Sequence, residues 1–442
     1  MFFYAFYGSK KEKMKVLMFG WEFPPHISGG LGTACHGLTK GLAELNNIDV
    51  TFVVPKAFGD EDQSAIQLIG ANNIPVAKNE IQFDDIQKKI DYYEVDSPII
   101  PYVDEDEFWE LKSRKYSKKS RFIETDEGYK IDFSGKYESN LLAEIYNYAA
   151  VAGIIAGNTD FDVIHAHDWL AYPAGIAAKN ISGKPLVIHV HATEFDRSGG
   201  NVNTKVYGIE REGMELADKI IAVSNFTKNI ITDKYDISPD KITTVYNAVE
   251  PVLSDKTNKI KKHINEKVVT FLGRITQQKG PEYFIEAANL VLKKVDNVRF
   301  VMAGSGDMMN AMITRVAELG IADKFSFTGF LEGDDVHKMF HLTDVFVMPS
   351  VSEPFGIVPL EAMQSEVPVI ISNQSGVSEI LENAIKIDFW DTYAMADAIF
   401  GLLNYPALSS HFKEEGKTEV DNLKWINSAQ KVMDVYKLAL AK

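Results

Sequence analysis

Two glutamates, Glu353 and Glu361, bracket the run Ser352-Glu353-Pro354-Phe355-Gly356-Ile357-Val358-Pro359-Leu360-Glu361, which follows the apolar stretch DVFVMPS. Pro359 suits the first turn of a helix, where a missing N–H costs nothing. That reading puts Glu353 in a loop and Glu361 in the opening turn, with the backbone N–H groups of Gly356, Ile357 and Val358 between them. Amides at the positive end of a helix can cradle a diphosphate, and the two carboxylates could hold sugar and ribose hydroxyls beside it. Glu361 taken alone reads equally as an acid placed to stabilise a helix start. A second loop, Gly273-Arg274-Ile275-Thr276-Gln277-Gln278-Lys279-Gly280-Pro281, carries two cations next to another helix opened by proline. Arg274 and Lys279 favour a phosphoryl group and would offset charge building on a departing diphosphate; as isolated residues they also read as solvated surface cations.

Two further segments invite chemistry. In Glu22-Phe23-Pro24-Pro25-His26-Ile27-Ser28-Gly29-Gly30-Leu31-Gly32-Thr33, the adjacent Gly29 and Gly30 let backbone approach a ligand, but the spacing is not the dinucleotide pattern G-x-G-x-x-G. Gly304-Ser305-Gly306-Asp307 lacks the third glycine as well. The pairs His165-Ala166-His167 and His189-Val190-His191 would each project from one face of a strand. They read as metal ligands, as hydrogen-bonding groups at strand ends, or as satisfied core residues; the metal reading would make the chain a metal-dependent hydrolase.

Elements must exist to hold these residues. Short β-branched apolar runs (KVLMFGW, DVTFVVP, DVIHAHD, PLVIHVH, KIIAVS, KITTVYN, VVTFLG, VRFVMAG, KFSFTG, DVFVMPS, VPVIIS) alternate with longer stretches of helical period. Continuous apolar runs of this kind predict parallel strands covered on both faces, and their alternation predicts βαβ units. In such α/β sheets ligands sit beyond the carboxyl ends of the strands, where all the loops above lie. The polar segment from Val252 to Lys267 reads as a linker between two such series. Residues 1–13 read as an N-terminal extension, 14–255 as a first domain with an insertion at about 79–140, and 256–442 as a second domain.

Composition narrows the function. The 442-residue chain carries a formal net charge of −16, which argues against nucleic acid as partner. Its single cysteine, Cys35, cannot form an internal disulfide and reads as a small buried thiol. The opening residues do not have the pattern of a signal peptide, and no apolar stretch reaches the roughly 20 residues that span a bilayer. A cytoplasmic location without membrane attachment is the expectation. Oligomeric state leaves no trace in the sequence.

In order and spacing, the Gly29-Gly30-Leu31 loop, the His165-Ala166-His167-Asp168-Trp169 run, the Arg274/Lys279 loop and the Glu353/Glu361 pair resemble the GT-B retaining glycosyltransferases. Within them the similarity is to the glycogen and starch synthase branch and to family 4 transferases. It extends from Met14 to about residue 435. The resemblance implies two Rossmann-like domains facing a cleft, the second binding a nucleotide-sugar and the first an oligo- or polysaccharide acceptor. The terminal helix would return to the first domain. It further implies that Arg274 and Lys279 hold the diphosphate and Glu361 the ribose, while Glu353 and the Gly356, Ile357 and Val358 amides contact the donor sugar. His167 would hydrogen-bond that sugar, and Gly29 and Gly30 would let backbone approach it. The nucleotide-sugar is a substrate, and neither a cofactor nor a metal is implied. Starch synthases using ADP-glucose carry a lysine before Gly-Gly-Leu and an acid two residues after it. Ser28 and Thr33 stand there in this chain, which leaves the base open among UDP, ADP and GDP.

Overall fold

The computed structural model describes residues 13–26, 29–76, 122–125, 128–135, 141–250, 265–331 and 333–441. The expected N-terminal extension, most of the expected insertion and most of the expected linker lie outside the described residues. Every apolar run quoted above forms a strand. A first parallel sheet contains β1 (Met14–Phe19), β2 (Ile48–Val54), β3 (Gln67–Gly70), β6 (Val163–His167), β7 (Leu186–Val190), β8 (Lys219–Ala222) and β9 (Ile242–Thr244), in the order β3-β2-β1-β6-β7-β8-β9. The second contains β10 (Lys267–Leu272), β11 (Val298–Ala303), β12 (Phe325–Gly329), β13 (Val345–Met348), β14 (Val369–Ser372) and β15 (Ile385–Ile387), in the order β12-β11-β10-β13-β14-β15. Strands β4 (Phe122–Thr125) and β5 (Gly128–Ile131) pair as an antiparallel hairpin. Strands β3 and β15 had no apolar run to announce them; both are short edge strands, which need less apolar surface than central ones.

The helices among the described residues are α1 (Gly30–Glu44), α2 (Leu141–Asn158), α3 (Tyr172–Ser182), α4 (Glu194–Ser198), α5 (Thr204–Leu216), α6 (Asn225–Tyr235), α7 (Pro281–Leu292), α8 (Met309–Glu318), α9 (Asp334–Leu342), α10 (Val358–Gln364), α11 (Thr392–Asn404), α12 (Pro406–Val420) and α13 (Trp425–Leu440). The origin of α7 is local. Gly280 takes the left-handed conformation (φ 64°), Pro281 opens the first turn, and the buried Phe284, Ile285, Ala288 and Val291 fall at helical spacing on one face.

Each sheet is covered on both faces. On the first, Ile145, Tyr148 and Val151 of α2 join Tyr172 and Ala174 of α3 on one side; Leu38 and Leu42 of α1 join Val432 and Tyr436 of α13 on the other. Burial of side chains of this size contributes on the order of 2 kcal/mol each, which is what holds the chain's final helix on the first sheet rather than the second. Its approach is close. A Cβ built on Gly37 would lie 2.2 Å from the Trp425 indole, and one on Gly41 would lie 2.6 Å from the Trp425 carbonyl oxygen.

Candidate functional site

In the second sheet the chain proceeds outward in opposite directions from β10 and β13, so their neighbouring carboxyl ends form a crevice. The Arg274/Lys279 loop leaves β10 and the Glu353 loop leaves β13, which brings both to that crevice. Gln278 joins them: its Oε1 accepts from Arg274 Nη2 at 3.0 Å, its Nε2 donates to the Ser352 carbonyl at 3.0 Å, and its own carbonyl accepts from Val351 N at 2.9 Å. Lys279 Nζ donates to Glu353 Oε2 at 2.5 Å, and Ser350 Oγ donates to the same oxygen at 3.2 Å. Glu353 is 7% exposed, so this pair is partly desolvated and is screened by salt less than a surface ion pair. Gly280 is held by shape, since a Cβ there would lie 2.2 Å from the Pro349 carbonyl oxygen.

The glycines of Gly304-Ser305-Gly306 have a scaffold role. Both take positive φ (138° and 159°), and a Cβ on Gly304 would sit 1.8 Å from the Gly273 carbonyl oxygen. This turn is a platform pressed against the Arg274 loop, which is why glycine occurs there without the third glycine of a nucleotide fingerprint.

Beyond Glu353 the chain turns at Gly356 (φ 101°), and among the described residues the amides of Gly356, Ile357 and Val358 donate no hydrogen bond. Helix α10 starts at Val358 and is only seven residues long, so it is these amides, more than any helix dipole, that can serve an anion. Glu361 lies in its first turn, half-buried. Loss of hydration there pushes its carboxyl pKa up to about 7. Ile357 reaches across to pack on the first sheet's hydrophobic cluster beside α1 and α13.

In the first domain, Gly29 and Gly30 begin α1, and a methyl group added to either would meet nothing within 4 Å. The helix start therefore opens onto free space, as close approach of a ligand requires. Glu22 Oε1 accepts from Gly32 N at 3.2 Å and supplies the cap that the glycines lack.

The histidine pairs meet as one cluster. His165 and His167 on β6 stand beside His189 on the adjacent β7, with ring centroids 4.2 to 5.4 Å apart, and His191 follows at the end of β7. His167, expected to contact the donor sugar, is fully buried, and its Nδ1 lies 3.0 Å from Nε2 of His191 in a hydrogen bond. Of the four rings, His191 keeps solvent contact. Burial, reinforced by the neighbouring imidazoles, drives the pKa values of His165, His167 and His189 well down, and burial alone takes His191 to about 3, so all four rings are neutral. Asp168 beside them takes a left-handed conformation (φ 62°), and desolvation raises its carboxyl to about 6 against the opposing pull of Arg197. Cys35 is buried, as its isolation in the sequence suggested.

Some contributors carry no sequence signal. Ser352 Oγ donates to Asp196 Oδ1 at 2.6 Å, and Ser224 Oγ donates to the Pro354 carbonyl at 2.6 Å, tying the Glu353 loop to the first domain. The Glu379 carboxylate accepts from Asn225 N (2.9 Å), Phe226 N (2.6 Å) and Tyr246 Oη (2.8 Å), capping α6 from the opposite domain. Among the described residues, no helix is long and apolar enough to cross a membrane.

Two family models match consecutive stretches of the chain. Residues 254–419 match the family described as "Glycosyl transferases group 1", and residues 130–253 match "Glycosyltransferase Family 4". An uncharacterised glycosyltransferase of Methanocaldococcus jannaschii is 28% identical over 97% of this chain and 99% of its own. The glycogen synthase of Mycobacterium tuberculosis is 23% identical over 96% of this chain and 94% of its own. Among solved structures, sucrose-phosphate synthase of Thermosynechococcus elongatus superposes with a TM-score of 0.69 at 16% identity, covering 97% of this chain and 100% of that one.

Proposed function

We propose that this chain, a GT-B glycosyltransferase built from a family 4 domain and a group 1 domain, moves glucose from a nucleotide-glucose onto an α-glucan with retention of configuration. The observation that carries the reading is the Lys279–Glu353 pair beside Arg274 and the open amides of residues 356–358: two cations and three donors converge where a diphosphate would depart. The similarity to glycogen synthase over nearly the full length supports glucose and glucan as the substrates.

In the proposed reaction the acceptor hydroxyl attacks the anomeric carbon on the face the diphosphate leaves. The bond from that carbon to the diphosphate oxygen breaks as the new glycosidic bond forms, and the acceptor proton passes to the departing oxygen. Arg274, Lys279 and the amides offset the charge on that oxygen, and such preorganised electrostatics are the main catalytic contribution. Lys279 is already held in place by Glu353, so little reorganisation is required. Glu361 accepts from the ribose hydroxyls. His191 takes the sugar contact: when Nδ1–H of His167 donates to its Nε2, its own proton sits on Nδ1 and is available as a donor. Gly29 and Gly30 leave room for the donor sugar.

The test is nucleoside diphosphate release from UDP-glucose, ADP-glucose and GDP-mannose, with and without glycogen or maltooligosaccharide. Release that depends on glucan, from one glucose donor, is expected and names the base. Release that requires a different acceptor or sugar would instead make the chain a family 4 transferase of other specificity. Among the described residues the metal-ligand groupings built on the histidine pairs contain imidazole and thiol only, with His165, His167 and His189 closed off from substrate; the hydrolase reading gains nothing from them.

A further inference from the structure

The imidazole cluster poses a physical problem that the transferase chemistry does not solve. Nε2 of His165, Nε2 of His167 and both ring nitrogens of His189 are buried and have no hydrogen-bond partner among the described residues. These side chains are at most 2% exposed. Leaving one buried polar atom unsatisfied costs on the order of 1–3 kcal/mol. Four such atoms gathered on adjacent strands call for a common partner.

The tautomers point to what that partner is. With the proton on Nδ1, His165 donates to Tyr436 Oη at 2.7 Å and His167 donates to His191 Nε2 at 3.0 Å. Both Nε2 lone pairs are then bare. An imidazole that donates through one nitrogen and offers the other is the arrangement of a metal-bound histidine with its outer partner. Ligand atoms of His165, His167 and His189 all lie within 4.8 Å of one another. Two nitrogens on a tetrahedral zinc ion stand about 3.3 Å apart, so the widest pair has up to about 1.5 Å to close, and the His165 and His189 rings, parallel within 9°, must turn for both lone pairs to face one ion. Register supports the set, because His167 and His189 are direct partners across β6 and β7, and His165 lies two residues back on the same face. The thiol of Cys35 flanks it: with His167 and His191 it forms a second group within the same 4.8 Å limit.

We propose that His165, His167 and His189 bind one divalent transition-metal ion of the zinc type, as a structural clamp. Neutral imidazoles beside a thiol select a borderline-soft cation over calcium or magnesium. Such an ion would lock the carboxyl ends of β6 and β7 together, and with them the turn at Asp168 and the loop carrying His191 and Asp196 to the cleft. Through His165 and Tyr436 it would also fix the returning helix α13. The proposal does not depend on the identity of the sugar or acceptor.

The test uses the full chain, stripped with a chelator and titrated with Co2+ alone, with visible absorption as the readout. One equivalent is expected to give intense ligand-field bands that Zn2+ abolishes, and His189→Ala should weaken binding by ~100-fold or more. His26→Ala is the control, since His26, Asp60 and Glu61 form the other candidate group among the described residues; it should bind as the parent does. Near-UV circular dichroism decides whether a variant is folded, and if His189→Ala is not, His165→Gln is read in its place. A folded parent chain with no bands at stoichiometric Co2+ would overturn the proposal. So would bands that survive in the folded histidine variant, or that disappear with His26→Ala.

Discussion

At the residue scale, the chain reveals its chemistry through side chains that follow strands. Lys279 has the most direct expected effect: Lys279→Ala should lower kcat by roughly 10²–10³, the scale for removing one donor aimed at developing negative charge. Near-normal turnover in steady-state assays would take Lys279 out of that role. Glu361 makes a pH prediction. Its carboxyl titrates near 7 in the donor-free protein, raised by lost hydration, so it is mostly an anion at pH 8 and mostly neutral at pH 6. The anion accepts through two charged oxygens, whereas protonation turns one of them into a donor and weakens the other as an acceptor, and donor KM should therefore rise as pH falls from about 8 to 6. In Glu361→Gln that pH dependence should vanish, with a donor KM that is high throughout; a variant retaining the parent profile would assign the titration elsewhere. Arg274, Lys279 and Glu353 were legible because each lies in a loop directly after an apolar run, and Glu361 because it stands in the first turn of the helix that follows the last of these loops. Which histidine keeps solvent contact was not, since histidines in two like His-x-His pairs look the same until burial distinguishes strand interior from strand end.

At the element scale, glycines decide where helices can pack. Gly41→Ala would push a methyl into the backbone of Trp425, which has no rotamer to retreat into. A destabilisation of about 1–3 kcal/mol is expected, read as a lower denaturation midpoint with unchanged slope. Gly208 is the contrast: it lies exposed in α5 and a Cβ there meets nothing within 4 Å. Gly208→Ala should stabilise the chain by roughly 0.5–1 kcal/mol through helix propensity. If both substitutions destabilise equally, the close seat of α13 on α1 is not what matters at Gly41. In the sequence the two glycines look alike, each interrupting a helical pattern; only the neighbour across the interface gives them opposite signs.

At the scale of the whole molecule, the two sheets are joined by hydrogen bonds that cross the cleft, with Glu379 capping α6 and Ser352 meeting Asp196. Removing a cap of this kind costs about 1–2 kcal/mol. Glu379→Ala should accordingly enlarge the donor-free radius of gyration in solution scattering, with UDP restoring compaction; identical profiles for variant and parent would mean the cap does not hold the domains. The sequence by itself determined that parallel strands recur, that helices separate them, and that phosphate-favouring loops follow β10 and β13, because apolar periodicity and turn chemistry are local properties of the chain. Only the tertiary structure decided that Lys279 meets Glu353 across 74 residues, that four imidazoles share one cluster, and that α13 closes on the first sheet. Those outcomes depend on strand order, on register between β6 and β7, and on which apolar faces cover one another, and these are set by long-range packing that no window of residues contains.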